Sequence, residues 1–291
     1  MNLHNSGSPR DILGRVLSSD RDIALVCVTD ISGGTLRPPG TLMAVSSEES
    51  FGYISAGCVD GDIIFQARQA LIEGQTRHLI YGEGSPFKDI ALPCGGRIDI
   101  VIIPQPDKSA IRSFLSELAK RERAVTLQLS DFKHDYQPEL ELRIVGRGEP
   151  FRALSQIAIK AGLRVHGQSP DQEFDLEEYH KFDHLTSPNP DHLPDIATDL
   201  WTAVVFLFHD HDWEPYLLRQ ALRGESFYIG AMGSPRTHSA RLETLKAMGA
   251  TGAERIRGPI GLIPAMRDAN HLAISIMADI ILEAQKRGLV S

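Results

Sequence analysis

Cys58 and Cys94 both sit in glycine-bearing turns, Gly57-Cys58 and Pro93-Cys94-Gly95-Gly96. Each turn adjoins an apolar run, Phe51 to Ser55 before Cys58 and Ile98 to Ile103 after Cys94. A thiol at such a turn can be exposed, and backbone N–H groups around it favour the thiolate. Arg97, close to Cys94 in sequence, adds a positive charge that can lower the pKa of that thiol. If the two turns converge, Cys58 and Cys94 can bind a metal or a sulfur-bearing ligand, because thiolates suit soft metals. The alternative is two unconnected small residues at tight turns. The third cysteine, Cys27, lies inside the run Ile23 to Val28 and reads as core packing.

Other candidate chemistry is spread along the chain. Gly146-Arg147-Gly148 follows a strand-like run and precedes a helix-like one, the context of a phosphate-binding turn. The third fingerprint position is Phe151, too large for close helix–strand packing. The next strand ends His166-Gly167-Gln168, without the acid that holds a ribose hydroxyl. Both features argue against NAD and leave either a phosphate at the helix N-terminus or a plain strand–helix turn. His209-Asp210-His211-Asp212 ends an apolar strand, where open α/β sheets place ligands. These imidazoles and carboxylates can ligate a metal or orient a polar ligand, or Asp212 can simply cap the next helix. Gly230 and Gly233 let backbone approach closely in a second strand-end turn. There Ser234 can cap a helix opened by Pro235, and Arg236 and His238 can meet an anion. The early turn Ser32 to Gly40, which carries Arg37, offers N–H groups and a guanidinium to a phosphate or pterin.

These residues need elements to hold them. Ser8, Pro9 and Asp11 open a helix to about Leu17. Strand-like runs follow at Ile23 to Val28, Leu42 to Val45, Phe51 to Ile54, Arg77 to Tyr81 and Ile98 to Ile103. A helix after Asp60 carries Val59, Ile63, Ala67 and Leu71 on one stripe, and another spans Ile111 to Lys120. Ala124 to Leu129 reads as a strand. The polar stretch Asp131 to Pro138 suggests a domain boundary, with a short hairpin as the alternative. From Leu140 on, strands alternate with helices, the pattern of a parallel sheet with helices on both faces. The acidic, His- and Pro-rich segment Asp171 to Leu200 is expected to wrap the sheet edge.

The chain has 291 residues, 42% of them hydrophobic, and a net charge of −8. That length can bury a substantial core in two domains. The charge and the lack of a Lys/Arg run argue against nucleic acid. No apolar stretch reaches transmembrane length, and the polar start lacks a signal-peptide core. Three cysteines form no disulfide framework, which fits a cytoplasmic protein with reduced thiols.

The same segments resemble the XdhC/CoxI family, accessory proteins for molybdenum hydroxylases such as xanthine dehydrogenase. The similar stretches are Pro39 to Val45, Gly52 to Asp60, Leu92 to Asp99, His209 to Asp212, Tyr228 to Arg241, Gly258 to Leu262 and Ala273 to Ala278. The resemblance implies an α/β fold: an XdhC/CoxI domain over residues 1–135, then a Rossmann-like parallel-sheet domain over 136–291. It implies a chaperone that binds molybdenum cofactor, a pterin dithiolene carrying the metal and a phosphate. Such a protein supports the cofactor's sulfuration with a cysteine desulfurase and inserts it into the apo-hydroxylase, and a homodimer fits the family. Cys58 and Cys94 match the family's cysteines and are the expected metal ligands. Gly57, Gly95, Gly96, Arg37, Gly146, Gly148, His209, Asp210, Gly230, Gly233, Ser234, Arg236 and His238 are the other expected cofactor-binding residues. The chain departs from the family pattern at Ala56, Phe208 and Pro235, and at Ile263-Pro264-Ala265 in place of Asp-Ile-Gly. The N-terminal signature is the better kept. Two other readings stand beside the chaperone: a nucleotide-dependent oxidoreductase or nucleotide-processing enzyme, and an assembly scaffold with no cofactor of its own.

Overall fold

The computed structural model describes residues 7–34, 37–55, 57–85, 95–171, 179–208 and 212–290. Cys94, His209 and Asp210 lie outside the described residues. The chain packs as two compact units, one ending at Pro138 and the other starting at Glu139. Among the described residues no helix is long and apolar enough to cross a membrane.

The first unit runs α1 (Pro9–Ser18), β1 (Ala24–Ser32), β2 (Leu42–Val45), β3 (Ser50–Phe51), α2 (Asp60–Glu73), β4 (Arg77–Gly82), β5 (Arg97–Pro104), α3 (Lys108–Ala119), β6 (Val125–Leu129) and β7 (Phe132–Tyr136). Its five-stranded sheet has the order β3-β2-β1-β5-β4, antiparallel throughout. β1 reads as a continuous apolar run because both of its faces are covered. Ala24, Val26 and Val28 pack with Ile63, Ala67 and Ala70 of α2. Leu25 and Cys27 face α1, α3 and the β6–β7 hairpin. Burial pushes the Cys27 thiol pKa up.

The packing division falls after Pro138, at the end of the polar stretch Asp131 to Pro138. Polar residues disguise β7. Phe132 and Tyr136 point into the core, while Lys133 and Asp135 face out. The Tyr136 hydroxyl also donates to the Gly40 carbonyl at 2.7 Å, which ties the hairpin to the first unit.

The second unit runs β8 (Glu141–Gly146), α4 (Gly148–Lys160), β9 (Arg164–Ser169), β10 (Lys181–His184), β11 (Thr202–Leu207), α5 (Glu214–Arg223), β12 (Tyr228–Ala231), α6 (Pro235–Ala247), β13 (Ile256–Arg257) and α7 (Ala269–Lys286). The sheet order is β10-β9-β8-β11-β12-β13, parallel throughout. Strand order reverses between β8 and β11, the place where open α/β sheets open a crevice at their strand ends. Residues of α4 and α7 share one core with Leu142, Ile144 and Val205. Residues of α5 share the other with Val145, Val204 and Phe206.

The segment expected only to wrap the edge supplies the edge strand β10 itself. Its Asp183 accepts from Gln168 at 3.0 Å and pairs with buried His166 at 2.7 Å, which fastens β10 to β9. Four short, partly charged residues carry little strand signal, as suits a strand exposed at a sheet edge.

Gly146 stands in register with Leu207, and a Cβ there would lie 2.6 Å from the Leu207 carbonyl oxygen. Gly146→Ala should push β8 away from β11 and cost about 1–3 kcal/mol by overpacking. A urea melt should show a lower midpoint with an unchanged slope.

Candidate functional site

Cys58 is exposed on the loop from β3 to α2. The loop is built around the buried carboxylate of Asp60. One Asp60 oxygen accepts from the Ile54 N–H at 2.8 Å and the Ser55 N–H at 3.2 Å. The other accepts from the Gly57 N–H at 2.9 Å and from the Ser55 hydroxyl. The Ser55 oxygen in turn accepts from the N–H groups of Gly57 at 3.1 Å and Val59 at 3.2 Å. The N–H groups flanking Cys58 therefore point into the turn, toward Ser55 and Asp60, and not toward sulfur. Gly57 has φ +102°, a conformation that suits glycine.

The other N-terminal candidates share one end of this sheet. Tyr81, opposite Ile98 in the β4–β5 ladder, donates to Asp62 in the first turn of α2 at 2.6 Å. That contact places the start of α2 beside the start of β5, where Gly95 and Gly96 lie. Ser32 pairs with Arg97, and a Cβ on Gly33 would lie 3.0 Å from the Gly96 Cα, so the two glycine loops touch. Arg37, on the loop after Gly33, makes no hydrogen bond or ion pair among the described residues. Arg97 is clamped by both carboxylate oxygens of Asp99 at 2.7 Å. Its charge is therefore already matched by Asp99.

In the second unit, Gly148 has φ +73° and opens α4, but its N–H is already taken. It donates to Asp171 at 2.8 Å, and the Arg147 guanidinium lies 3.5 Å from the same carboxylate. The reading that the second strand lacks its acid is thus corrected. β9 runs on to Ser169, and Asp171 follows two residues later. Intervening Pro170 hid it, because the strand seemed to stop at Gln168. Phe151, judged too large, is fully buried and packs edge-to-face on Phe182 of β10. Gly146 and Gly230 serve close packing. A Cβ on Gly230 would lie 2.5 Å from Ile260.

A cleft of about 390 Å³ opens beyond the ends of β11 and β12. Gly233 and Ser234 line it, with Phe208, Met232, Ile260 and Met266 among the apolar walls. Arg241, which the sequence reading passed over, holds this region together. Its guanidinium donates twice to Glu214, both at 3.0 Å, and once to the Met232 carbonyl at 2.6 Å. Both side chains of the pair are 2% exposed. The pair joins the start of α5 to the turn that opens α6. Asp212 does not cap α5: Trp213 takes the cap position with no side-chain bond, and Glu214 turns inward instead. His238 packs on Gly258 and faces Arg241, whose Nη1 lies 3.4 Å from His238 Nδ1. Burial, then the Arg241 charge, lowers the His238 pKa from its usual value. Arg236 is exposed on α6. Among the described residues no three His, Cys, Asp or Glu side chains gather where they could hold a metal.

The strand order and the glycine turn at the switch point define a Rossmann domain following an antiparallel α/β unit. The chain matches the XdhC and CoxI family over residues 16–82 and the XdhC Rossmann domain over residues 142–280. A relative from Escherichia coli K12, the molybdenum cofactor insertion chaperone PaoD, is 33% identical over 286 residues, covering 91% of this chain and 84% of that protein. A crystal structure of a Bacillus halodurans protein described as a xanthine dehydrogenase has TM-score 0.80 at 18% identity, covering 95% of this chain and 96% of that one. The latter likeness bears on the fold alone. This chain belongs to the XdhC and CoxI family.

Four outcomes follow from the geometry. Asp60→Asn puts a donor where the turn needs an acceptor and should cost about 1–3 kcal/mol in chemical denaturation. In the native wild type, iodoacetamide should label Cys58 and spare Cys27. Arg241→Met strands the buried Glu214 carboxylate and should cost about 3–5 kcal/mol. His238 has a lowered folded-state pKa, so its protonation favours the unfolded chain. Its contribution to stability is full above the ordinary value of 6.5 and is lost as pH falls below it. An NMR titration of the His238 ring should give a midpoint below 6.5.

Proposed function

We propose that this protein binds molybdenum cofactor, supports its sulfuration and inserts it into a xanthine dehydrogenase-type molybdenum hydroxylase. The observation that carries this reading is the 33% identity to a molybdenum cofactor insertion chaperone, sustained over 91% of the chain. The described residues fit such a cargo. Cys58 presents a thiol to solvent from a turn fixed by Asp60, and thiolates are good ligands for a soft metal centre. Gly95 and Gly96 meet Gly33 at the same sheet end, beside a loop that carries Arg37. Cys94 completes the thiol pair in this reading. The partners it calls for are a cysteine desulfurase, the apo-hydroxylase and a second copy of the chain.

A nucleotide-binding role at the β8–α4 turn is the second reading. Asp171 favours it, standing where dinucleotide-binding sheets carry their ribose-holding acid.

The test is anaerobic equilibrium binding of intact molybdenum cofactor to wild type, Cys58→Ala and Cys94→Ala, with NAD as the parallel ligand. The carrier reading expects wild-type binding that weakens at least about tenfold in each variant, the scale of one lost charge-assisted contact. A folded wild type that binds no cofactor would overturn it. NAD binding abolished by Asp171→Ala would favour the second reading.

A further inference from the structure

The cleft at the ends of β11 and β12 has a composition that selects a ligand. Its volume, about 390 Å³, is that of a small-molecule site. Phe208, Met232, Pro259, Ile260, Met266 and Leu272 supply apolar walls, and among the described residues no ionisable side chain lines it. The Phe208 ring lies parallel to Trp213, with centroids 6.4 Å apart and planes 5° apart, so a braced flat surface backs one wall. The two hydroxyls in the lining are largely committed. Ser234 accepts from the Thr237 N–H at 3.1 Å and pairs with the Thr237 hydroxyl at 2.9 Å. The start of α6 is therefore capped from within.

Two arginines lie on the segments that line it. Arg236 sits between lining residues Ser234 and Thr237, and Arg267 directly follows lining residue Met266. Both arginines are exposed, and neither makes a hydrogen bond or ion pair among the described residues. Most other arginines of this unit are engaged: Arg241 by Glu214, Arg257 by Asp279 and Glu283, and Arg255 by backbone carbonyls. Two exposed guanidiniums without a hydrogen bond or ion pair among the described residues are thus carried by two separate cleft-lining segments.

We propose that this cleft binds an aromatic ring system bearing an anionic substituent. The ring packs among Phe208, Met232 and Met266, and the anion is met at the rim by Arg236 and Arg267. The inference deepens the carrier reading and rests on it: the ring answers to the cofactor's pterin and the anion to its phosphate.

The test uses the full chain and two fluorescent probes, pterin-6-carboxylate and uncharged 6-methylpterin, titrated into wild type, Arg236→Gln/Arg267→Gln and Ile263→Trp. Ile263 lines the cleft and is 51% exposed, so a larger ring there narrows the entrance without touching the core. The carboxylate should bind wild type and weaken about tenfold or more in the double arginine variant, the worth of a charge-assisted contact. That binding should fall with added salt. The methylpterin should bind more weakly and ignore the arginine change, and Ile263→Trp should reduce both. Equal carboxylate affinity in wild type and the folded arginine variant, or no pterin binding to wild type, would overturn the proposal. Molybdenum cofactor is titrated in parallel. Full cofactor binding by both cleft variants overturns the cleft assignment and leaves the carrier reading standing. Cleft-dependent pterin binding, with no cofactor binding by wild type, sinks the carrier reading and supports the cleft as a pterin site.

Discussion

A carboxylate removed from water must collect donors, and in each unit of this protein one such group shapes the turn that carries the candidate chemistry. Asp60, 6% exposed, gathers the N–H groups of Ile54, Ser55 and Gly57 and the Ser55 hydroxyl. Glu214, buried as deeply, takes both arms of the Arg241 fork. Both are buried; Asp60 holds backbone directly, and Glu214 does so through Arg241, which donates to the Met232 carbonyl. Loops are ordinarily the mobile part of a fold. Here the two loops that present Cys58 and the strand-end cleft are fastened from beneath by charge-assisted bonds.

The same demand explains why the phosphate-turn geometry at Gly148 is not an open anion site in this structure. The Gly148 N–H points outward from the start of α4, where the helix dipole favours negative charge. Asp171 supplies that charge from within the chain, with Arg147 alongside. A phosphate arriving there would have to displace a carboxylate already bonded at 2.8 Å. At α6, Ser234 performs the equivalent service with a neutral hydroxyl. Helix N-termini are common places for anions in Rossmann sheets. In this chain both N-termini receive an internal acceptor, while Arg236 and Arg267, on the segments that line the cleft, have no hydrogen bond or ion pair among the described residues.

Several glycines in the candidate turns also serve close packing. Gly146 lets β8 run against the Leu207 carbonyl at the switch point, and Gly230 makes room for Ile260. Gly33 admits the backbone of Gly96. Gly57 is different, since no atom crowds its Cβ position and its positive φ is what the Asp60 turn requires. The glycine pattern alone marks all four as places of unusual backbone. Only their neighbours distinguish a close strand crossing from a turn that presents a thiol.

Local periodicity made the main elements legible. The runs that became β1, β5, β8 and β11 are apolar because both faces of each strand are covered, and α2 and α3 show their buried stripes directly. The motifs around Cys58, and the strand–helix rhythm after Leu140, were enough to place the chain in its family and to foresee a parallel sheet. What escaped was contact between segments far apart. Phe132 and Tyr136 are core residues hidden among charges. β10 is too short and polar to announce itself, and Asp171 lies 23 residues from the glycine it satisfies. Arg241 and Glu214 are 27 residues apart, each reading as an ordinary charge on a helix surface. Sequence by itself determined which segments must be buried, because burial leaves a repeating local pattern. Tertiary structure decided which polar groups meet, because a hydrogen bond between distant residues leaves no periodic trace in either segment.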